Sequence, residues 1–208
     1  MQYIAQRNIQ PGAIQETIAV IMDQKIFNHF QQLIETTMVV GDSFAAPMAA
    51  AAEKISAALL AGNRIFSCGE QATVPLAQLF TDYLTTGYEI ERPGFPALNI
   101  NQIMATGFGA ERYAHCLQTQ GQSADLLLVL SAGGNSLSLI SAVEAAISKG
   151  MTIILLSAHN DDLLSATVGY NDVEINMAQF YGQLANAAQF QIIQCLCALV
   201  DHQIFGGE

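Results

Sequence analysis

Short apolar segments alternate with helical stretches over residues 64–205, which predicts an α/β fold: a parallel sheet with helices on both faces. Two further observations support this. Leu126–Leu130 (LLLVL) is an unbroken apolar run, the pattern of a strand buried on both faces. It ends in Ser131-Ala132-Gly133-Gly134-Asn135-Ser136, a glycine turn with capping residues where a helix begins.

The elements follow in order. Residues 1–22 read as a loose lead-in broken at Pro11-Gly12, and residues 23–208 as one domain. A helix is expected over 23–40. Asp42 or Ser43 can cap a second helix running to Leu60, which Gly62 stops. Strands are expected at 64–68, 96–100, Leu126–Leu130, Thr152–Ser157 and 173–175. Helices are expected near 77–85, 136–149 and Gln183–Phe205. In such sheets ligands sit beyond the carboxyl ends of the strands, which puts 67–73 and 131–136 on one rim.

With 208 residues the chain can bury a sizeable core. Seven Lys plus Arg stand against eighteen Asp plus Glu, a net charge of −11 with no basic run, so direct nucleic-acid binding is excluded. A role near DNA has to pass through another protein. The cysteines Cys68, Cys116, Cys195 and Cys197 form no C-x-x-C pair and read as free thiols of a reducing cytoplasm. No signal peptide and no membrane span are expected. On the last helix, Leu184, Ala188, Ile192, Cys195 and Leu199 form one apolar stripe, and Ile193, Leu196, Val200 and Ile204 a second. A helix apolar over two faces buries both, one on its own sheet and one on a sister subunit, so a homo-oligomer is expected.

Backbone N–H groups at the start of the helix after Ser136, with hydroxyls beside them, suit an anion. No Lys follows the glycines, so this is not a Walker loop. Together, GNRIFSCG (62–69), ERPGFPAL (91–98), LSAGGNS (130–136) and AVEAAISKGMTII (142–154) resemble the sugar isomerase (SIS) domain family in its phosphoheptose isomerase branch, over roughly 23–205. QCLCALVDHQIF (194–205) favours the members that associate with the replication initiator DnaA. The resemblance implies a three-layer sandwich around a five-stranded parallel sheet and a homotetramer. It also implies a phosphosugar pocket between subunits, held here by Thr73, Ser131, Asn135 and Ser136.

The departures from the enzymes bear on catalysis. Their loop after the first strand reads roughly CGNGGS, where this chain has Cys68-Gly69-Glu70-Gln71-Ala72-Thr73. Both flexible glycines are gone and Glu70 adds a charge that repels phosphate. Leu79 stands at the position of a metal-binding His, Tyr83 at that of a catalytic Glu, and Gln189 and Gln194 stand where the terminal helix supplies its ligands and base. A segment that carries Asn and Asp in the enzymes is reduced to ATGFGA at 105–110. Zinc needs His, Cys or carboxylate ligands, and aldose–ketose isomerisation needs a placed acid and base. No metal, cofactor or catalytic residue is expected.

Four histidines remain. His29, His115 and His202 read as surface or packing residues. His159, in Ser157-Ala158-His159-Asn160-Asp161-Asp162, stands near the rim, where Asn-Asp-Asp serves either ordinary turn chemistry or a site. At the chain end Ile204 and Phe205 are either final packing residues or an anchor for a protein partner. Three readings follow: a non-catalytic oligomeric adaptor for the initiator, a sugar-phosphate sensor without turnover, or a sedoheptulose 7-phosphate isomerase with a rebuilt site.

Overall fold

The computed structural model describes residues 11–103 and 109–206. Five parallel strands, β1 (Ile65–Gly69), β2 (Ala97–Asn99), β3 (Leu126–Leu130), β4 (Thr152–Ser157) and β5 (Val173–Asn176), form one sheet in the order β2-β1-β3-β4-β5. Leu128 pairs with Ser67 on one side and Ile154 on the other, so β3 is central. The two faces of the strands divide the core. Ile65, Leu126, Leu128, Leu130, Ile154 and Leu156 point to one layer, and Phe66, Cys68, Leu127, Val129, Ile153 and Leu155 to the other. The first layer is α1 (Pro11–Leu60), α2 (Val74–Thr86) and α7 (Gln183–Phe205). The second holds α4 (Arg112–Gln120), α5 (Leu137–Lys149) and the short α6 (Asp162–Ser165). The short α3 (Ile100–Ile103) follows β2 and contributes Ile100 to this second cluster. The chain is a three-layer α/β sandwich, as its sequence predicts.

The N-terminal region differs from expectation. Residues 11–60 form one continuous helix, through Gly41-Asp42-Ser43 and with Pro47 inside it. Pro47 cannot donate to the carbonyl one turn back. The reason is a stripe that runs through the breakers: Thr36, Val40, Phe44, Met48, Ala51, Ala52, Ile55 and Leu59 are buried at three-to-four spacing. Continuous packing on one face overrides local breaking signals. The helix also takes in Pro11-Gly12 and residues expected as lead-in. At ~1.5 Å per residue it is about 75 Å long.

α4 was absent from the sequence expectation. It is short and lacks a side-chain cap, and its polar residues hide the apolar set Tyr113, Ala114, Cys116 and Leu117. The last helix has the expected bounds, but its second stripe is not left for a sister subunit. Ile193, Leu196 and Val200 are fully buried within the subunit, in the cluster that α1 and α2 also feed. The apolar surface left open is instead on α1, where Ile26, Phe27, Phe30, Ile34 and Met38 are each more than half exposed. Gln183–Phe205 is long and apolar enough to cross a membrane by composition, but here it is packed in the first layer.

Candidate functional site

The helices following β1 and β3 go to opposite layers, so the carboxyl ends of these adjacent strands form the topological switch point. Two turns meet there. In the first, Thr73 is fully buried; its hydroxyl lies 2.7 Å from the Leu130 carbonyl and 2.9 Å from that of Glu70, and its oxygen accepts the Glu70 N–H. This stitches the first turn to the end of β3. Gln71 holds φ 52°, the left-handed conformation that favours glycine. Glu70 faces Arg112 at 3.7 Å, and the Arg112 guanidinium donates to the Tyr113 hydroxyl, itself a donor to the Gly69 carbonyl.

The second turn is built differently. Gly133 and Gly134 take φ 95° and 90°, which only glycine adopts readily. A Cβ on Gly133 would lie 2.5 Å from the His159 carbonyl oxygen. The N–H groups of the turn are engaged internally: Gly133 donates to the Ser131 hydroxyl, Gly134 to the His159 carbonyl and Asn135 to Asp161. Asp161, 3% exposed, also accepts the Ala158 N–H, so its carboxylate acts as a built-in anion between the turns after β3 and β4. The Asn-Asp-Asp run thus does turn work at Asp161. The Asn135 side-chain oxygen accepts from Leu163 and Leu164 at the start of α6. Ser136 is the N-cap of α5, accepting the Leu139 N–H.

A cavity of about 290 Å³ opens beside this turn. Its walls are Ser131 to Gly134, Ala158 to Asn160, and Phe180 to Gly182 with Ala185 and Asn186 at the start of α7. It lies toward β4 rather than in the crevice between β1 and β3. Of the four expected phosphosugar residues, Ser131 lines it, Asn135 and Ser136 adjoin it in sequence, and Thr73 is stitched below the rim. Two of the lining side chains, His159 and Tyr181, pack together with ring centroids 4.6 Å apart. Behind it Gln189, fully buried, donates to the Ser131 carbonyl at 2.7 Å, while its Oε1 has no partner.

Leu79 is half-buried on α2, and Tyr83 packs edge-on against Tyr88 at 4.7 Å. Gln194 is half-buried on α7. Among the described residues no three His, Cys, Asp or Glu side chains converge on a point. The ATGFGA segment lies mostly outside the described residues. All four cysteines are free thiols, and burial pushes each of them up from its ordinary value. A thiol raised this way stays protonated and unreactive at neutral pH.

At the far end of α7, Asp201 and Arg92 form an ion pair at 2.6 Å, their side chains 2% and 1% exposed. Sequence reasoning missed this pair, because nothing local marks two residues 109 positions apart. Arg92 also donates to the Tyr83 and Leu84 carbonyls at the end of α2, and Asp201 accepts the N–H groups of Tyr88 and Glu89. The arginine lies 4.0 Å from the Phe95 ring centroid, and Phe95 stacks on Phe205 at 5.9 Å. Ile204 packs on the core and Phe205 stays 45% exposed.

Comparison with known proteins agrees with this architecture. The SIS domain model matches residues 28–158. The DnaA initiator-associating protein DiaA of Edwardsiella ictaluri is 32% identical over 191 residues, covering 88% of this chain and 97% of the relative. Its counterpart in Yersinia pestis is 31% identical over the same share. A phosphoheptose isomerase from Francisella tularensis superposes with a TM-score of 0.79 at 26% identity, covering 86% of this chain and 97% of the isomerase. The chain belongs to the SIS-domain family, in the branch that includes phosphoheptose isomerases and DnaA initiator-associating proteins.

Proposed function

We propose that this chain is a non-catalytic, oligomeric regulator that associates with the replication initiator DnaA and keeps a degenerate phosphosugar pocket. The observation that carries the reading is the 32% identity, over nearly the whole length of both chains, to a protein named for that association. Leu79 and Tyr83 offer neither a His, Cys or carboxylate metal ligand nor a carboxylate base at the positions where the enzymes need them. The exposed ring of Phe205, backed by Phe95, is the contact for the initiator together with Ile204. The homotetramer implied by the family resemblance assembles through the open apolar side chains of α1, each worth about 1.5–3 kcal/mol when fully buried. No nucleic acid, membrane or cofactor is part of this reading, and the protein works in the cytoplasm.

Capture of purified DnaA on immobilised protein tests it. Wild type retains the initiator, and Phe205→Ala keeps its oligomeric state in light scattering but retains much less. A wild type that captures no initiator ends the adaptor reading; a Phe205→Ala variant that captures normally moves the contact elsewhere.

The likeness to the Francisella isomerase favours a second reading, a sedoheptulose 7-phosphate isomerase. Incubation with sedoheptulose 7-phosphate, with and without zinc, gives no conversion above buffer on the first reading. Turnover abolished by a chelator would establish the second. If the pocket binds sugar phosphate without turnover, the Ser131 and Ser136 hydroxyls and the Asn135 side-chain amide hold the phosphate at the start of α5, because the N–H of Asn135 is taken by Asp161. Ser136→Ala then weakens binding about tenfold, the loss of one hydrogen bond to a charged group.

A further inference from the structure

We propose that His159, held against Tyr181, is the cationic contact through which the cavity takes the phosphate of a sugar phosphate. This deepens the sensor reading of the pocket and rests on it. The turn after β3 has its N–H groups at Gly133, Gly134 and Asn135 already engaged, the last by the Asp161 carboxylate. A phosphate arriving there meets an internal anion and few free donors, in a chain whose net charge is −11. An attracting charge therefore has to come from the cavity's other wall. Among the described residues that line it, His159 is the one side chain able to carry a positive charge; the rest are small, aromatic or amide.

Its position is fixed from two sides. The His159 carbonyl accepts the Gly134 N–H at 3.2 Å and leaves no room for a side chain on Gly133. Its exposed ring tilts 52° against Tyr181, which comes from the approach to α7. The titratable groups around it are Tyr181, Asp161 and Asp162. Asp161 is turned inward onto the Ala158 and Asn135 N–H groups, and Asp162 is exposed in the first turn of α6. The glycine turn and the start of α7 bring no charged side chain to the cavity. The cavity's ~290 Å³ is at the small end of ligand pockets, which run from roughly 300 to 1,000 Å³, and suits one compact polar molecule.

The test is calorimetric titration of the full chain with sedoheptulose 7-phosphate. His159→Gln binds about tenfold more weakly, the loss of one hydrogen bond to a charged group, while His159→Lys keeps a positive charge at the cavity and retains affinity. An unchanged affinity in His159→Gln, with native circular dichroism, overturns the assignment and leaves the pocket reading standing. A wild type that binds no sedoheptulose 7-phosphate overturns both.

Discussion

The two ends of α7 are held in opposite ways. The N-terminal end starts at Gly182, with φ 53° and no side-chain cap. It borders a cavity and carries Gln189, a buried amide with one unpaired atom. The C-terminal end is clamped by the Arg92–Asp201 pair, whose remaining donors and acceptors close on backbone groups of α2 and residues 88 and 89. An open, incompletely satisfied end suits a small ligand. A rigid end with one exposed aromatic ring suits a protein surface, since less freedom is lost when a partner docks. One helix thus separates the two proposed activities, and variants at one end should leave the other untouched, because distant sites without shared partners act additively.

The largest expected effect is at the rigid end. Asp201→Ala leaves the Arg92 guanidinium buried without its counter-charge and costs about 3–5 kcal/mol in urea unfolding. Where the variant remains folded, initiator capture drops because Phe205 loses its platform, while sugar-phosphate affinity stays within twofold or so. A matching loss of sugar-phosphate binding would break the comparison by coupling the two ends.

Next is the turn facing the open end. Gly133→Ala puts a Cβ 2.5 Å from the His159 carbonyl oxygen at φ 95°. Left-handed strain alone costs roughly 1–2 kcal/mol, and the displaced His159 adds to it. Thermal unfolding should show at least that loss, with sugar-phosphate binding weakened and initiator capture unchanged in the folded fraction. A neutral Gly133→Ala would mean the turn gives way freely and does not position His159.

The sheet and the helices α2, α5 and α7 were legible because their signals are local. The run Leu126–Leu130 and the glycine turn after it are short patterns with a direct physical cause, and the bounds of β3, β4 and α7 match those read from sequence. What was missed depends on partners far along the chain. Gly41-Asp42-Ser43 reads as a break until the stripe from Thr36 to Leu59 is seen packed in the first layer. Leu196 lies on one of two stripes that both suit a partner until α1 is seen to share its buried cluster, so Leu196→Asp unfolds the subunit rather than dissociating an oligomer. Phe30→Asp and Ile34→Asp on α1 are the proper probes of assembly. At the site, Asp161 reads as a turn residue, which it is, but no spacing shows that its carboxylate takes the N–H of Asn135. That contact and the Thr73–Leu130 stitch both join the ends of separate strands, which no local pattern marks.

The smallest expected effect is at Gln189. Its Nε2 bond to the Ser131 carbonyl is worth about 0.5–1.5 kcal/mol, whereas a buried unpaired acceptor such as its Oε1 costs about 1–3 kcal/mol. Gln189→Met keeps the volume and flexibility while removing both groups. The two terms offset, less whatever the Ser131 carbonyl loses, so urea unfolding should shift by no more than about 1 kcal/mol in either direction. A loss above about 3 kcal/mol would mean that Oε1 is held by a buried water. The open end of α7 would then be as fully satisfied as the clamped one, and the contrast between them would rest on the cavity alone.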